Sequence, residues 1–362
     1  METDIAIIGG GLSGLATAAQ LDQSGLDWQL VEARDRFGGR ILSSSVDLGP
    51  DATARYDLGP AWIWPHNPLV LELTKSLGLT VFPQHATGRL VFQDTTGRVQ
   101  RDLEFAPMAG FYRIAGGMSA LTDGLADLLP HERLQRNAKV THIRAEGSSL
   151  CVSGPNWELM ARKVILALPP RLAARINYSP NLPAQAHTEM AGIPTWMAGQ
   201  AKAVAVYKHP FWRDQGLSGD GISHKGPLVE IHDASPATGG QGALFGFIGT
   251  PARDRRADPS GLHSAILTQL ADMFGPSAAD PEALLLHDWA EEAETATLDD
   301  HAPLGHHPAY GLPKALEGLM ENRLIFAGSE VAPGQGGFIE GALEAAGAAA
   351  RQITKTAMPV PS

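Results

Sequence analysis

The sequence predicts an α/β protein with two parts: a Rossmann-type dinucleotide-binding domain assembled from discontinuous segments, and a smaller α+β substrate domain built on a mixed sheet. An apolar strand near the N-terminus breaks into Gly9-x-Gly11-x-x-Gly14. A second glycine-rich block, Gly336 to Ala342, lies near the C-terminus, so one domain needs both ends of the chain. Between residues 181 and 286, Gly and Pro become frequent and short strands replace the βαβ pattern, which indicates the second domain.

The first forty residues form a predicted βαβ unit. The apolar strand Ile5 to Ile8 precedes the glycine turn, an amphipathic helix follows up to Gly25, and a second strand, Trp28 to Val31, ends in Glu32. Glycines at this spacing let the backbone approach a pyrophosphate at a helix N-terminus, and the acid about 20 residues on accepts ribose hydroxyls. The alternative is an ordinary glycine-rich turn with a surface glutamate.

A second glycine turn follows at Gly38-Gly39-Arg40. It offers further N–H donors and a guanidinium that can fork onto phosphate oxygens. The alternative is a solvated turn, which we favour for Arg36 but not for Arg40.

Further elements follow from periodicity and turn residues. They are a helix from Pro68 to Leu77 that is expected to be well buried because its leucines form no single stripe, a hairpin pairing Leu90-Val91-Phe92 with Arg98-Val99-Gln100, a helix opened by Gly116-Gly117-Met118-Ser119, a buried strand Lys163 to Leu168, a helix from Ser260 to Phe274, and a small-residue helix from Ile339 to Ile353. We assign residues 1–78, 116–180 and 287–356 to the dinucleotide-binding domain, 79–115 and 181–286 to the substrate-binding domain, and 357–362 to a disordered tail.

Composition excludes several classes of partner. The chain has 362 residues and a net charge of −11, so nucleic acid or an anionic membrane surface would repel it. No apolar run approaches the ~18 residues that a membrane span needs. The single cysteine, Cys151, excludes an intramolecular disulfide, and no charged-then-apolar leader precedes the first strand. We expect a cytoplasmic protein that binds neither nucleic acid nor membrane.

With these blocks in place, the chain resembles the flavin-containing amine oxidase family, which includes monoamine and polyamine oxidases. The resemblance covers nearly the whole chain apart from residues 79–115. It rests on blocks in the family's order: Gly9-x-Gly11-x-x-Gly14 with Glu32, Gly38-Gly39-Arg40, Gly59-Pro60-Ala61-Trp62, Gly116 to Ser119, Lys202 ahead of Tyr207 to Trp212, Trp289, Ala327-Gly328-Ser329-Glu330, and Gly337-Phe338-Ile339-Glu340-Gly341-Ala342.

The resemblance implies FAD as the cofactor, and it implies the residues that hold it. Glu32 would bind the adenosine ribose, Arg40 the pyrophosphate, Val140 the adenine edge through its backbone, and Glu330 a cofactor hydroxyl or phosphate region. The helix that begins at Phe338 and Ile339 would direct its positive end at the charge that gathers on the reduced flavin. The full predicted set is Gly9, Gly11, Leu12, Ser13, Gly14, Glu32, Ala33, Arg34, Gly39, Arg40, Pro60, Ala61, Trp62, Val140, Trp289, Gly328, Glu330, Gly337, Phe338 and Ile339.

Lys202 is the candidate catalytic residue. The resemblance aligns it with the lysine that, in this family, hydrogen-bonds a water next to flavin N5. Between Ala201 and Ala203 in an apolar strand, a lysine is expected to face a polar cavity or to have a strongly shifted pKa. The alternative is a lysine that snorkels to solvent. The histidines form no metal-ligand spacing, so we predict no metal site.

The chain departs from the family in three ways. Residues 290–303 hold no cysteine for covalent attachment, so FAD is expected to be non-covalent. Phe338 fits one ring of the family's aromatic pair, but Leu298 and Asp299 offer no second ring. We predict Trp62, Trp64 and Phe338 as substrate-binding residues; Trp196 and Tyr310 are further rings that could complete the cage. The short 79–115 segment leaves the site open or covered by another subunit, so a homodimer is possible.

We therefore expect an FAD-dependent amine oxidoreductase. Hydride would pass from the α-carbon of a small-molecule amine to flavin N5, the imine would hydrolyse, and O2 or another acceptor would reoxidise the flavin, with O2 giving peroxide. One alternative is a carbon–carbon desaturase, as in carotenoid desaturases and protoporphyrinogen oxidases, and another is a flavoprotein that acts as a binding subunit.

Overall fold

The computed structural model describes residues 2–47, 54–302 and 304–357. Its strands, in chain order, are β1 Glu2–Ile8, β2 Trp28–Val31, β3 Ser43–Ser45, β4 Arg55–Asp57, β5 Val81–Pro83, β6 Arg89–Gln93, β7 Val99–Leu103, β8 Tyr112–Ile114, β9 Leu134–Gln135, β10 His142–Glu146, β11 Ser149–Gly154, β12 Trp157–Leu166, β13 Asn177–Ser179, β14 Ala201–Tyr207, β15 Leu217–Ser223, β16 Leu228–Asp233, β17 Gly242–Ile248, β18 Ala283–Asp288 and β19 Leu324–Phe326.

The α-helices alternate with these strands. They are α1 Leu12–Gln23, α2 Pro68–Ser76, α3 Ser119–Leu128, α4 Pro170–Ala173, α5 Ala184–Gly192, α6 Phe211–Asp214, α7 Ala252–Ala257, α8 Pro259–Phe274, α9 Leu319–Asn322 and α10 Ile339–Ala357. No helix in the three described ranges is long and apolar enough to span a bilayer.

The first sheet is eight-stranded, in the order β13-β10-β11-β12-β1-β2-β9, with β19 also paired to β12. β1 lies parallel between β2 and β12, and its apolar residues are buried because helices or strands cover both faces. α1 and α10 pack together on one face, where Leu15, Ala346 and Ala349 meet. The small side chains of α10 let it lie close to the sheet, which brings the two ends of the chain together.

The second sheet is seven-stranded, in the order β18-β14-β17-β16-β15-β6-β7. The predicted hairpin at residues 90–100 is the antiparallel pair β6–β7, which joins the later strands through β15. α8 covers one face with Ile266, Leu270 and Phe274. β14 lies inside this sheet between β17 and β18, and all seven of its residues are buried, which fixes Lys202 in the interior.

The structure refines several sequence expectations. The irregular leucine spacing of 69–77 predicts a well-buried helix, but α2 buries only Val70 and Thr74, and Leu69 is 38% exposed. α2 lies on the outer side of α10, so one face of it meets solvent. β18 extends to Asp288, two residues past the predicted boundary at 286. Of the predicted disordered tail at 357–362, residues 358–362 lie outside the described residues.

Candidate active site

A cavity of about 710 Å³ lies where the carboxyl ends of β1, β2 and β12 meet the second sheet. Residues from both ends of the chain and from β14 and β17 line it, which is the crevice position expected of a ligand site in an α/β fold. The predicted residues that line it are Gly9, Gly11, Leu12, Ser13, Glu32, Ala33, Arg34, Gly39, Arg40, Pro60, Ala61, Trp62, Trp64, Val140, Lys202, Trp289, Gly328, Gly337, Phe338 and Ile339.

The three glycines of the Gly9-x-Gly11-x-x-Gly14 motif are not all required for the same physical reason. Gly9 has φ +109°, and a Cβ at Gly14 would lie 1.9 Å from the Gly9 carbonyl oxygen, so both are required by the turn and by helix–strand packing. Gly14 does not line the cavity. Gly11 has φ −78°, and the nearest atom that a Cβ there would meet in the described part of the chain is the Gly38 carbonyl oxygen, at 3.8 Å. Because Gly11 lines the cavity, close approach of a ligand is the physical reason that remains for this glycine.

The two ends of the chain are joined at this turn. The Ser13 hydroxyl donates to the Ala327 carbonyl oxygen. Arg40 forms a bidentate ion pair with Glu330 and also donates to the Ser329 hydroxyl at 3.0 Å. Glu330 is fully buried and does not line the cavity, so it lies behind Arg40 and holds the guanidinium in place. Burial acts to lower the pKa of Arg40, but the attraction of Glu330 outweighs it and the pKa is raised.

We call the part of the cavity lined by Glu32, Arg34, Lys139, Val140 and Glu294 the nucleotide end. The buried Glu32 carboxylate accepts the backbone N–H groups of Gly10 at 2.7 Å and Arg34 at 2.8 Å. These bonds fix its orientation at the cavity wall while oxygen lone pairs remain for ligand hydroxyls.

We call the part lined by Trp62, Trp64, Trp196, Phe247 and Phe338 the aromatic end. Phe338 packs edge-to-face against Trp64, with ring centroids 5.0 Å apart, and against Trp196 at 6.3 Å. Trp62 contacts Phe247 instead, at 6.3 Å. Trp64 and Trp196 therefore both contact Phe338. They are rings beside Phe338 in a chain whose positions 298 and 299 carry no second ring for the family's aromatic pair.

Lys202 lies at the aromatic end. Its ammonium donates to the Gly59 carbonyl oxygen at 2.5 Å and lies 5.3 Å from the centre of the Phe247 ring. Burial lowers the pKa of Lys202 to about 8, against an opposing effect of Asp57. Trp289, which directly follows β18, donates its indole N–H to the Leu58 carbonyl oxygen at 2.8 Å. Lys202 and Trp289 therefore hold the two backbone carbonyls that precede Pro60.

Sequence reasoning missed two residues at this site. Asn67 is 3% exposed and lines the cavity; its Oδ1 accepts the Trp64 backbone N–H at 2.8 Å, but its buried Nδ2 has no partner in the described part of the chain. His307 stacks on Phe338 with ring centroids 4.8 Å apart and planes 7° from parallel. An Asn-Pro pair at a helix start is the one sequence signal for Asn67. The loop that carries His307 has no periodicity that places it.

These residues fit FAD. Two glycine turns, the fixed Glu32 carboxylate and the start of α10 supply donors and acceptors for an adenosine, a pyrophosphate and a flavin. The unpartnered Asn67 Nδ2 calls for a ligand acceptor, since a buried donor left unpaired is costly.

No cluster of metal-ligating side chains occurs in ranges 2–47, 54–302 and 304–357. Cys151 is buried in β11, where burial raises its thiol pKa, and it does not line the cavity.

Comparison with known proteins gives a consistent result. A family model described as flavin containing amine oxidoreductase matches residues 12–109 and 99–354. The probable flavin-containing monoamine oxidase A of Dictyostelium discoideum is 25% identical over 457 residues, with 97% of each chain covered. Amine oxidase [flavin-containing] B of Sus scrofa is 26% identical over 465 residues, with 99% of this chain and 87% of the pig protein covered.

Solved structures share the fold. Cyclohexylamine oxidase from Brevibacterium oxydans superposes with a TM-score of 0.83 at 22% identity, covering 99% of this chain and 100% of that one. Wild-type putrescine oxidase bound to putrescine gives a TM-score of 0.81 at 22% identity, covering 98% and 99%.

Proposed function

This chain belongs to the flavin-containing amine oxidoreductase family, and on that premise we propose that it oxidises an amine at its α-carbon and passes the electrons to dioxygen. It is an FAD-dependent enzyme that acts on amines. When bound, FAD supplies the acceptor for a hydride from the amine α-carbon, which leaves an imine that hydrolyses, and it transfers the electrons to O2 to give peroxide. The residues of the chain bind, orient and desolvate the reactants.

The cofactor would be held from the nucleotide end to the aromatic end. Glu32 would accept the ribose hydroxyls, and the N–H groups of the two glycine turns with Arg40 would meet the pyrophosphate. Glu330 keeps Arg40 oriented for this contact. Asn67 would donate through its unpartnered Nδ2 to a cofactor acceptor, and the start of α10 would face the developing negative charge.

The observation that carries the proposal is the position of Lys202. It is a buried amine in the wall of the aromatic end, and among the described residues its one hydrogen-bond partner is the Gly59 carbonyl. The two remaining N–H donors can hold a water beside the reacting centre. Because its pKa is about 8, Nζ can take up or release a proton near neutral pH. Trp62, Trp64 and Phe338 would orient the amine and exclude bulk water.

Anaerobic reduction tests the proposal. Purified holoenzyme is mixed with primary, secondary and polyamines and with amino acids, and the oxidised flavin band is followed. We expect at least one amine to bleach the band and, on admission of air, to release peroxide in proportion to the amine consumed. Bleaching by none of them would refute the proposal.

A further inference from the structure

We infer that the substrate is a hydrophobic monoamine, carrying one amino group and no carboxylate, and that diamines and α-amino acids are poor substrates. This inference rests on the proposed function, because it concerns which amine enters the same cavity. It is carried by the chemistry of the cavity wall, which differs sharply between the nucleotide end and the aromatic end.

The aromatic end is built to contact an apolar group. Three indole rings and two phenyl rings line it, together with Met197, and Phe338 meets both Trp64 and Trp196 edge-to-face. Offset and edge-on aromatic contacts favour aromatic or aliphatic bodies, which gain by leaving water. An amine with a hydrocarbon body therefore has a surface to bind there.

A second ammonium has no counter-ion at this end. Among the described residues that line the cavity, the carboxylates are Glu32 and Glu294, and both lie at the nucleotide end. Glu32 accepts two backbone N–H groups, and Glu294 pairs with Lys139 at 2.7 Å. A diamine would have to bury a second ammonium without a carboxylate partner, and contact with the ring faces would replace only part of its lost hydration. Lys202 adds a like charge at the same end when it is protonated.

A substrate carboxylate also lacks a suitable partner at the aromatic end. In the second glycine turn, both terminal nitrogens of Arg40 are engaged by Glu330. The Lys202 ammonium donates to the Gly59 carbonyl and faces the Phe247 ring. An α-amino acid would therefore bring a carboxylate to a wall that offers no free guanidinium fork among the described residues.

The remaining cations of the cavity wall lie at or beside the nucleotide end. Arg34 is paired with Glu292 at 3.0 Å, and Lys139 with Glu294. Arg175 lies beside Ile176 and Asn177, and the backbone of Asn177 bonds to Thr141, which adjoins Val140. We therefore place these side chains around the expected adenosine, away from an amine at the aromatic end.

Two matched substrate pairs test the inference on the holoenzyme. The first pair, n-pentylamine and 1,5-diaminopentane, differs by one amino group; the second, 2-phenylethylamine and phenylalanine, differs by one carboxylate. We expect the added charged group to lower kcat/KM for anaerobic flavin reduction at least 30-fold in each pair. A smaller loss, or a gain, in either pair would overturn the inference. If none of the four reduces the flavin but a diamine or an amino acid of the wider panel does, the inference is overturned and the proposed function stands; if no compound of the panel does, the proposed function itself fails.

A binding measurement separates recognition from chemistry. α,α-Dimethylphenethylamine and α-methylphenylalanine lack an α-hydrogen, so they cannot be oxidised but can perturb the flavin spectrum. We expect the amine to bind at least 30-fold more tightly than the amino acid. Equal Kd values would contradict the inference even if turnover differed.

A variant pair tests the missing counter-ion directly. Met197→Glu places a carboxylate in the wall of the aromatic end, and Met197→Gln adds a polar group of the same size without charge. The ratio of kcat/KM for 1,5-diaminopentane to that for n-pentylamine should rise at least tenfold in Met197→Glu relative to Met197→Gln. The same ratio in both variants would show that charge at this wall does not decide the selectivity.

Discussion

Arg40 and Glu330, from opposite ends of the chain, form a bidentate ion pair in which Nη1 lies 2.6 Å from Oε1 and Nη2 3.2 Å from Oε2. The carboxylate is fully buried, whereas the arginine side chain is 27% exposed at the cavity. Of the two partners, Arg40 therefore reaches the cavity and Glu330 does not. The Gly38-Gly39-Arg40 turn carries the exposed arginine, and Glu330, from the other end of the chain, fixes the direction of its guanidinium.

Glu330→Gln should weaken both folding and FAD binding. Replacing the carboxylate removes the charge that compensates Arg40, and losing one partner of a buried pair costs roughly 2–4 kcal/mol of unfolding free energy. Urea unfolding of the holoprotein measures the first effect, and fluorescence titration of the apoprotein with FAD the second. Glu317→Gln, at an exposed position, is the control. An FAD Kd unchanged by Glu330→Gln would contradict the positioning role.

Asn67→Asp should raise the FAD Kd about tenfold, equivalent to about 1.4 kcal/mol, because a carboxylate can still accept the Trp64 N–H but cannot donate to the cofactor. Equilibrium dialysis with FAD measures the change. Asn156→Asp, at an exposed turn, should leave the Kd as it is. If both variants bind FAD equally well, Asn67 Nδ2 has no cofactor partner.

Lys202→Met should slow anaerobic flavin reduction roughly ten- to a hundredfold, since it removes the donor that would hold water and move a proton near the reacting carbon. Stopped-flow absorbance at saturating amine measures this rate. Lys208→Met is the matched control, because Lys208 is exposed and pairs with Glu282 at 3.4 Å, away from the cavity. Equal rates in wild type and Lys202→Met would instead favour a different chemistry on this scaffold.

The pH dependence of that rate should report Lys202. Burial lowers its pKa to about 8, so the wild-type profile should show an inflection near pH 8 that Lys202→Met abolishes. Rates of anaerobic reduction between pH 6 and 10, with an amine of known pKa, measure it. An inflection that persists in Lys202→Met belongs to the substrate or to another group.

The buried charge of Lys202 should lower the free energy of unfolding, whereas a salt bridge would raise it. Its folded pKa lies below the ordinary value of 10.5, so the folded state binds fewer protons than the unfolded chain, and stability rises with pH between about 8 and 10.5. Below pH 8 Lys202 is protonated in both the folded and the unfolded state, so the whole cost of burying its charge lowers the free energy of unfolding. Lys202→Met should therefore stabilise the apoprotein at pH 7, by on the order of 2 kcal/mol, with a gain that shrinks toward pH 10. Urea unfolding at both pH values measures it, and a gain that does not change with pH would contradict the assignment.

FAD should be released intact on denaturation. The single cysteine of the chain, Cys151, is buried in β11 with its thiol against Glu158 and does not reach the cavity. Acid or heat precipitation followed by filtration should leave all the flavin absorbance in the filtrate, and Cys151→Ser should not alter the flavin content. Flavin that stays with the precipitated chain would reveal a covalent bond to some other residue.

The family, the FAD cofactor and part of the cavity wall were predictable from the sequence alone. The glycine turn depends on local backbone conformation, and the acid after β2 lies at a set distance from it in the sequence. Gly9, Gly11 and Glu32 are therefore recognisable from their spacing alone. Lys202 stood out for a similar reason, because a charge inside an apolar strand must face something polar.

Which side chains meet depends on the tertiary structure. It placed Glu330 behind Arg40, assigned Gly14 to packing, brought Trp196 and His307 to Phe338, and left Asn67 with an unpaired donor. These outcomes depend on how loops with no periodicity cross the ends of two sheets. Such paths are set by the summed packing of distant segments, which no local pattern encodes.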